Sequence, residues 1–181
     1  MKFQSSDILF EDNHLIIVNK KCGVLVQGDK TGDTPLLELV KAYIKNKYNK
    51  TGNVFLGLVN RIDRPVSGIV IFARTSKALS RMNDKLKNRQ IRKLYWLFIS
   101  NKFKTNEGKI EGWFKKNKKI NKSFFSKEEV KNSKYGSLKY RIIEKLEKYL
   151  KIEVDLVTGR HHQIRCSFSE IGFPILGDLK Y

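Results

Sequence analysis

The chain has 181 residues, 40% of them hydrophobic, and a formal net charge of +19 from 37 Lys+Arg against 18 Asp+Glu. That size and apolar content suit one globular domain with a real core, and no stretch approaches the roughly 18 apolar residues that a membrane span requires. Residues 1–7 lack the apolar segment of a secretory signal, and Cys22 and Cys166 stand far apart with no CxxC, so the sequence predicts a soluble intracellular protein with neither disulfide nor thiolate metal site.

Ile8-Leu9-Phe10 and Leu15-Ile16-Ile17-Val18 read as short strands around a turn at residues 11–14, and Gly23-Val24-Leu25-Val26 suggests another. Thr34 is placed to cap a helix with Pro35 at its first position; Leu36, Leu37, Val40, Tyr43 and Ile44 then share one face, with Gly52 beyond the end. Next comes Asn60-Arg61-Ile62-Asp63-Arg64-Pro65-Val66-Ser67-Gly68, one carboxylate between two arginines in a turn crowded by proline, serine and glycine. A buried strand over residues 69–72 follows. Thr75 or Ser76 opens a second helix with Ala78, Leu79, Met82 and Leu86 inward and Lys77, Arg81, Lys85 and Lys87 outward.

Residues 94–99 read as an interior strand, and residues 109–114, 123–125, 137–143 and 149–156 as further strands joined by hairpins. Residues 115–139 are rich in lysine and poor in large aliphatics, which marks an exposed hairpin that is either a solvated surface or an RNA contact. Thr158-Gly159 opens a last helix with Ile164, Phe168 and Ile171 on one face and Gly172 at its end. The fold class is α+β: a mixed, largely antiparallel sheet flanked by helices.

A folded domain with this charge attracts polyanions, so nucleic acid is the leading partner. Base-composition bias can also fill a surface with lysine, and the skew of 28 Lys to 9 Arg fits such bias. Bias does not explain the grouping of arginines at Arg61/Arg64, Arg89/Arg92 and Arg160/Arg165. Taken alone, Asp63 reads as a turn former or a salt-bridge partner of a neighbouring arginine. A second constellation, Thr158-Gly159-Arg160-His161-His162-Gln163-Ile164-Arg165, sets guanidiniums and imidazoles at a helix start, where the dipole favours anions. An acidic turn and a basic helix start make a pairing of catalyst and phosphate site.

These two segments resemble the RluA-type pseudouridine synthases, whose motifs read His-Arg-Leu-Asp, two residues, then Thr/Ser-Gly, and Thr-Gly-Arg-x-His-Gln-Ile-Arg. Arg61, Asp63, Ser67 and Gly68 match the first; residues 158–165 match the second, and residues 172–178 resemble its continuation. Residues 12–20 and Lys93-Leu94-Tyr95 are similar to further family signatures, so the likeness covers nearly the whole chain. It implies a single catalytic domain over residues 1–181 that isomerises a uridine of rRNA or tRNA, with no cofactor and no metal, as a cytoplasmic monomer without an obligate protein partner. Asp63 would be the essential carboxylate, as nucleophile or electrostatic stabiliser; Arg165 would pair with it, and Tyr95 would stack on the target base. The base must leave its stack to be reached, and Arg61, Arg64, Arg160 and His162 are candidates to hold the displaced strand. His161 falls at the variable position of the motif and has no assigned role. A metal reading of the two histidines is disfavoured, because adjacent helical residues point about 100° apart and no carboxylate sits at i+4.

Three departures accompany the resemblance. Asn60 stands where the family has His, and Lys21-Cys22 where Pro-Ala is common. Family members also continue past residues 177–181 with further strands, so C-terminal strands are expected to be missing, and no N-terminal S4-like RNA-binding module is expected. The alternative to an active isomerase is a basic RNA-binding protein that kept the fold and lost catalysis. A nuclease or glycosidase is disfavoured, since no second carboxylate accompanies either motif.

Overall fold

The structure, a computed structural model, describes residues 3–29 and 31–181. The chain forms two compact units, one running to Gln90 and the other from Ile91 to Tyr181. Expectation and structure agree on an α+β fold. They differ on the sheet: every strand pairing among the described residues is antiparallel, and the strands form two sheets rather than one mixed sheet.

The first unit is built on a four-stranded sheet of β1 (Ile8–Glu11), β2 (Leu15–Lys20), β3 (Gly57–Leu58) and β4 (Gly68–Ala73), in the order β1-β2-β4-β3. Asp12 Oδ1 closes the turn between β1 and β2 by accepting the amides of His14 (2.7 Å) and Leu15 (2.6 Å). Strand alternation sends Ile16, Val18, Val70 and Phe72 to one face, where Leu36, Val40 and Ile44 of α1 (Leu36–Lys47) cover them. Alternate residues Ile71 and Ala73 face the other way and meet Ala78, Leu79 and Met82 of α2 (Ser76–Lys87), whose cap is the Thr75 hydroxyl accepting the Ala78 amide at 3.1 Å. Strand β4 is less buried than expected, since Ile69 is exposed.

No strand forms at residues 23–26. Gly23 turns the chain with φ +85°, and the carbonyls of Leu25 and Val26 accept the amides of Leu36 (2.7 Å) and Leu37 (3.2 Å). Those two carbonyls satisfy the first orphan donors of α1, so the helix needs no side-chain cap from Thr34, and its N-cap is Pro35.

The second unit is a five-stranded sheet of β5 (Leu94–Ser100), β6 (Glu107–Asn117), β7 (Lys122–Ser126), β8 (Lys134–Lys145) and β9 (Tyr149–Asp155), in the order β5-β9-β8-β6-β7. Leu97, Ile99, Leu138, Ile152 and Val154 form its core, capped by Phe168 and Ile164 of α3 (Gln163–Glu170). The expectation for β5 is corrected: it ends the sheet, and Leu94, Trp96 and Phe98 on its outer face are exposed, Trp96 to 65%. The end of α3 is as expected. Gly172 at φ +81° lets its amide reach Ser169 O (3.0 Å) while the Phe173 amide reaches Phe168 O (2.9 Å), a paired C-terminal closure that a side chain at Gly172 would strain.

Candidate functional site

Asp63 lies half-buried in a loop that the first unit pins from several sides. At its start, Asn60 imitates a strand residue: its Oδ1 accepts the Ile71 amide (2.8 Å) and its Nδ2 donates to Ile69 O (3.1 Å). At its end, Gly68 enters β4 with φ +137°, a backbone region that L side chains avoid. Between them the Val66 amide donates to Asp63 O (3.0 Å), closing the turn that holds the carboxylate. Asn60 thus performs backbone work at the position where the family pattern has His.

The floor of this loop is Lys20, which the sequence reading left without a role. Its side chain is 1% exposed, and its ammonium donates to the carbonyls of Val24 (2.8 Å), Lys21 (3.1 Å) and Arg64 (3.1 Å). Burial pushes the Lys20 pKa down, opposed in part by the nearby Asp63 carboxylate. One buried cation therefore ties the turn after β2 to the residue after Asp63 and faces Asp63 electrostatically. The signal was present in strand parity: residue 20 shares the face of Ile16 and Val18 and pairs with Gly68.

Of the two arginines beside Asp63, Arg61 is exposed. Arg64 donates from Nε to Gly23 O (3.0 Å) and pairs through Nη2 with Asp33 (2.7 Å), while the Gly23 amide returns a bond to Arg64 O (2.9 Å). Cys22 adds an Sγ contact to Pro65 O (3.2 Å). Residues 20–24 and 63–66 are thus laced together, which orders the backbone on both sides of the carboxylate.

In the second unit, helix α3 starts later than expected, at Gln163, so Arg160, His161 and His162 precede it. The Thr158 hydroxyl does not cap a helix amide: it accepts the Ser137 amide (2.9 Å) and donates to Gln163 Oε1 (2.8 Å). Gln163, 2% exposed, also accepts the Arg160 amide on the same oxygen (2.9 Å), which folds residues 158–163 into a compact loop. His162 takes the left-handed backbone at φ +51° as the N-cap residue, and its carbonyl accepts the Cys166 amide (2.9 Å). Its ring nitrogen Nδ1 lies 3.0 Å from Tyr181 Oη. Arg160 reaches back to Tyr135 O through Nε (2.6 Å).

Arg165, on the first turn of α3, forms a two-pronged pair with Asp178: Nε to Oδ2 at 2.6 Å and Nη2 to Oδ1 at 2.8 Å. Burial works against the charge on Asp178, but Arg165 and the amides of Lys180 and Tyr181 hold its carboxyl below the usual carboxylate range. The Arg165 guanidinium also lies 5.3 Å from the centre of the Tyr181 ring. Nothing in the sequence pattern marks Asp178 as the partner. Tyr95 sits half-buried on β5, paired with Val154 in register and packed against the apolar core.

Beyond these, a groove on the outer face of the sheet is lined by Arg92, Lys139, Arg141, Glu153 and Asp155, and two of its cations form the pairs Arg92–Asp155 (2.9 Å) and Arg141–Glu153 (2.8 Å). Cys22 and Cys166 are both free; burial pushes the Cys166 thiol up to about 11, an inert core group. Among the described residues, no cluster of three or more His, Cys, Asp or Glu side chains is placed to hold a metal ion, and no helix is long and apolar enough to cross a membrane.

Comparison with known proteins bears on both segments at once. The family model described as RNA pseudouridylate synthase matches residues 14–170, which include Lys20, Asp63, Tyr95 and the loop at residues 158–165. An uncharacterized RNA pseudouridine synthase YlyB of Bacillus subtilis is 29% identical over 178 residues, covering 97% of this chain and 57% of the relative. Ribosomal large subunit pseudouridine synthase C of Vibrio parahaemolyticus is 29% identical over 179 residues, covering 96% and 52%. The chain thus spans about half the length of these curated relatives. Among solved structures, human RNA pseudouridylate synthase domain containing 4 superposes with a TM-score of 0.82 at 21% identity, covering 98% of this chain and 69% of that one, which establishes a shared fold. The chain belongs to the RNA pseudouridylate synthase family, and the RluA-type affiliation expected from its motifs is borne out.

Proposed function

We propose that this member of the family is an RNA pseudouridine synthase that isomerises a uridine of ribosomal or transfer RNA, with Asp63 as the reacting carboxylate. The observation that carries the reading is the bracing of the Asp63 loop, held by the Asn60 side chain at one end and by the buried Lys20 ammonium at Arg64 O. An ordinary turn aspartate needs no such support, whereas a group that must meet a sugar carbon at a fixed distance does.

The reaction is redox-neutral. The C1′–N1 bond of uridine breaks, the uracil turns, a C1′–C5 bond forms, and the C5 proton leaves to solvent while N1 takes up one proton from it, so that the product is an isomer of the substrate. Asp63 acts on the face of C1′ as nucleophile or as stabiliser of its developing positive charge, and both roles require the ionised carboxylate. Tyr95 and Arg165 take the roles that the resemblance implies. The target nucleotide leaves its stack before reaction, and Arg61, Arg64, Arg160 and His162 are the candidates to hold the strand around it. The relatives named for the large ribosomal subunit favour ribosomal RNA as substrate and the cytoplasm as its place of action.

Nucleoside analysis tests the proposal. Unmodified ribosomal and transfer RNA transcripts are incubated with the protein, digested and separated. Pseudouridine is expected with the wild-type chain and not with Asp63→Ala. RNA binding without any pseudouridine from the wild type would instead support the reading of a basic RNA-binding protein without catalysis.

A further inference from the structure

The lysine-rich hairpin and His161 have no part in the proposed chemistry, yet the second unit joins them. Between Glu111 and Glu128 the chain carries Lys115, Lys116, Lys118, Lys119, Lys122 and Lys127 and no carboxylate. Lys115, Lys116, Lys118 and Lys119 are exposed along the end of β6 and the tip that leads to β7, and none of the four forms an ion pair among the described residues. On the outer face of the same sheet, by contrast, Arg92, Arg141 and Lys151 are each matched by a carboxylate. The tip is ordered: Asn117 Oδ1 accepts the Lys119 amide (2.9 Å), and Asn121 turns the chain with a left-handed φ of +48°. Such an unmatched cationic finger attracts a phosphodiester backbone.

His161 fastens this finger to the loop at residues 158–165. Its Nε2 lies 3.0 Å from Asn121 Oδ1 and its Nδ1 2.9 Å from Ser123 Oγ, while the Ser123 hydroxyl donates to His161 O at 2.7 Å. The His161 ring stacks on His162 with 3.8 Å between centres. Ser123, 2% exposed, also donates its amide to Tyr181 Oη (2.6 Å), the same hydroxyl that His162 Nδ1 approaches.

We propose that His161 is a positioning residue for RNA: it holds the β6–β7 hairpin in register with Arg160 and His162, so that the hairpin lysines and the loop cations meet one phosphate path as a single preorganised surface. Two cationic elements that moved independently would each lose freedom on binding, whereas elements already joined do not. The inference rests on the reading of this protein as one that acts on RNA.

The experiment is a coupling measurement in RNA binding, made with the full chain and a fluorescein-labelled stem-loop RNA carrying a uridine-rich loop. In the wild-type background, Lys118→Ala with Lys119→Ala is expected to weaken binding about tenfold near 0.1 M salt and to reduce the salt slope by about two. In a His161→Ala background the same pair should cost less than about threefold, because the hairpin no longer lies on the phosphate path. Asn121→Gly keeps the left-handed backbone, removes the Oδ1 partner, and should reproduce the lost coupling; it carries the test if His161→Ala does not fold. A purely structural histidine would alter stability and leave the lysine effect unchanged, so losses that add fully in both backgrounds overturn the proposal. Failure of the wild type to bind the stem-loop would overturn the RNA reading as well. Coupling that persists while no pseudouridine forms would support the His161 clamp and sink the isomerase chemistry alone.

Discussion

Replacement of Lys20 by methionine probes the support of the Asp63 loop most sharply. Methionine keeps most of the stem and its packing but deletes the ammonium, leaving Val24 O without a donor, while Arg64 O keeps the Gly23 amide (2.9 Å) and Lys21 O the Val24 amide (3.4 Å). A buried acceptor left unsatisfied costs about 1–3 kcal/mol, and the weakened bonding at the other two carbonyls adds to that figure. Two effects reduce it: the ammonium's own burial is a cost that disappears, as its lowered pKa indicates, and the thioether recovers apolar contacts. A net loss of about 1–2 kcal/mol follows, which for a chain of this size lowers the melting temperature by about 2–8 °C. The loss falls on the backbone beside Asp63, so the rate of pseudouridine formation should drop by about 10–100-fold even at temperatures where the variant is fully folded. Lys20→Arg should not rescue it, because the guanidinium fork does not fit a pocket shaped for a point charge. The assay pairs urea denaturation with single-turnover modification of an RNA transcript. A Lys20→Met variant with wild-type stability and a wild-type rate would refute the reasoning.

Other consequences follow from the same geometry. Asp178→Asn removes the charge from a two-pronged pair whose side chains are 16% and 5% exposed, and should cost about 1–3 kcal/mol in a urea titration. Because the native carboxyl of Asp178 titrates below its unfolded value, its contribution is present above about pH 4 and is lost as pH falls through the native pKa. The acid limb of the wild-type stability profile should therefore flatten in Asp178→Asn, and an unchanged limb would remove Asp178 from the account. Gly68→Ala places a side chain at φ +137° and should destabilise by about 1–3 kcal/mol, while leaving open space around the new methyl, whose nearest neighbour is Ile62 Cδ1 at 3.9 Å. Asn60→Ala releases the Ile71 amide and the Ile69 carbonyl and should cost about 1–2 kcal/mol by thermal melt, with a larger fall in rate than Gly52→Ala, a loop change remote from these bonds.

Much of the fold was legible because strand alternation and helix periodicity are written in single residues. The Thr75 cap and the inward face of α2 at Ala78, Leu79 and Met82 follow directly from the sequence. The misreadings have a common cause, in that a local signal was satisfied by a distant partner. Thr158 resembles a helix cap, but its hydroxyl is engaged by Ser137 and Gln163, so α3 begins later. Leu25 and Val26 resemble a strand, but their carbonyls cap α1 from outside it. The β5 sequence is apolar on both faces and reads as interior, although Trp96 stands in solvent with Lys151 Nζ 4.3 Å from its ring centre. At the candidate site, Asp63 and the loop at residues 158–165 were visible as motifs. The roles of Gln163 and Asp178 were not, since a glutamine or an aspartate buried against backbone looks no different in sequence from one in water, and Lys20 showed itself only through strand parity with Ile16 and Val18.

The central claim is that Asp63 carries out the isomerisation, and tritium release measures it most directly. With RNA labelled at uracil C5, formation of the C1′–C5 bond frees one tritium to solvent for each uridine converted. The wild-type chain is expected to release tritium, and Asp63→Ala is expected to release none while still binding the RNA. Release from Asp63→Ala at the wild-type rate would contradict the account.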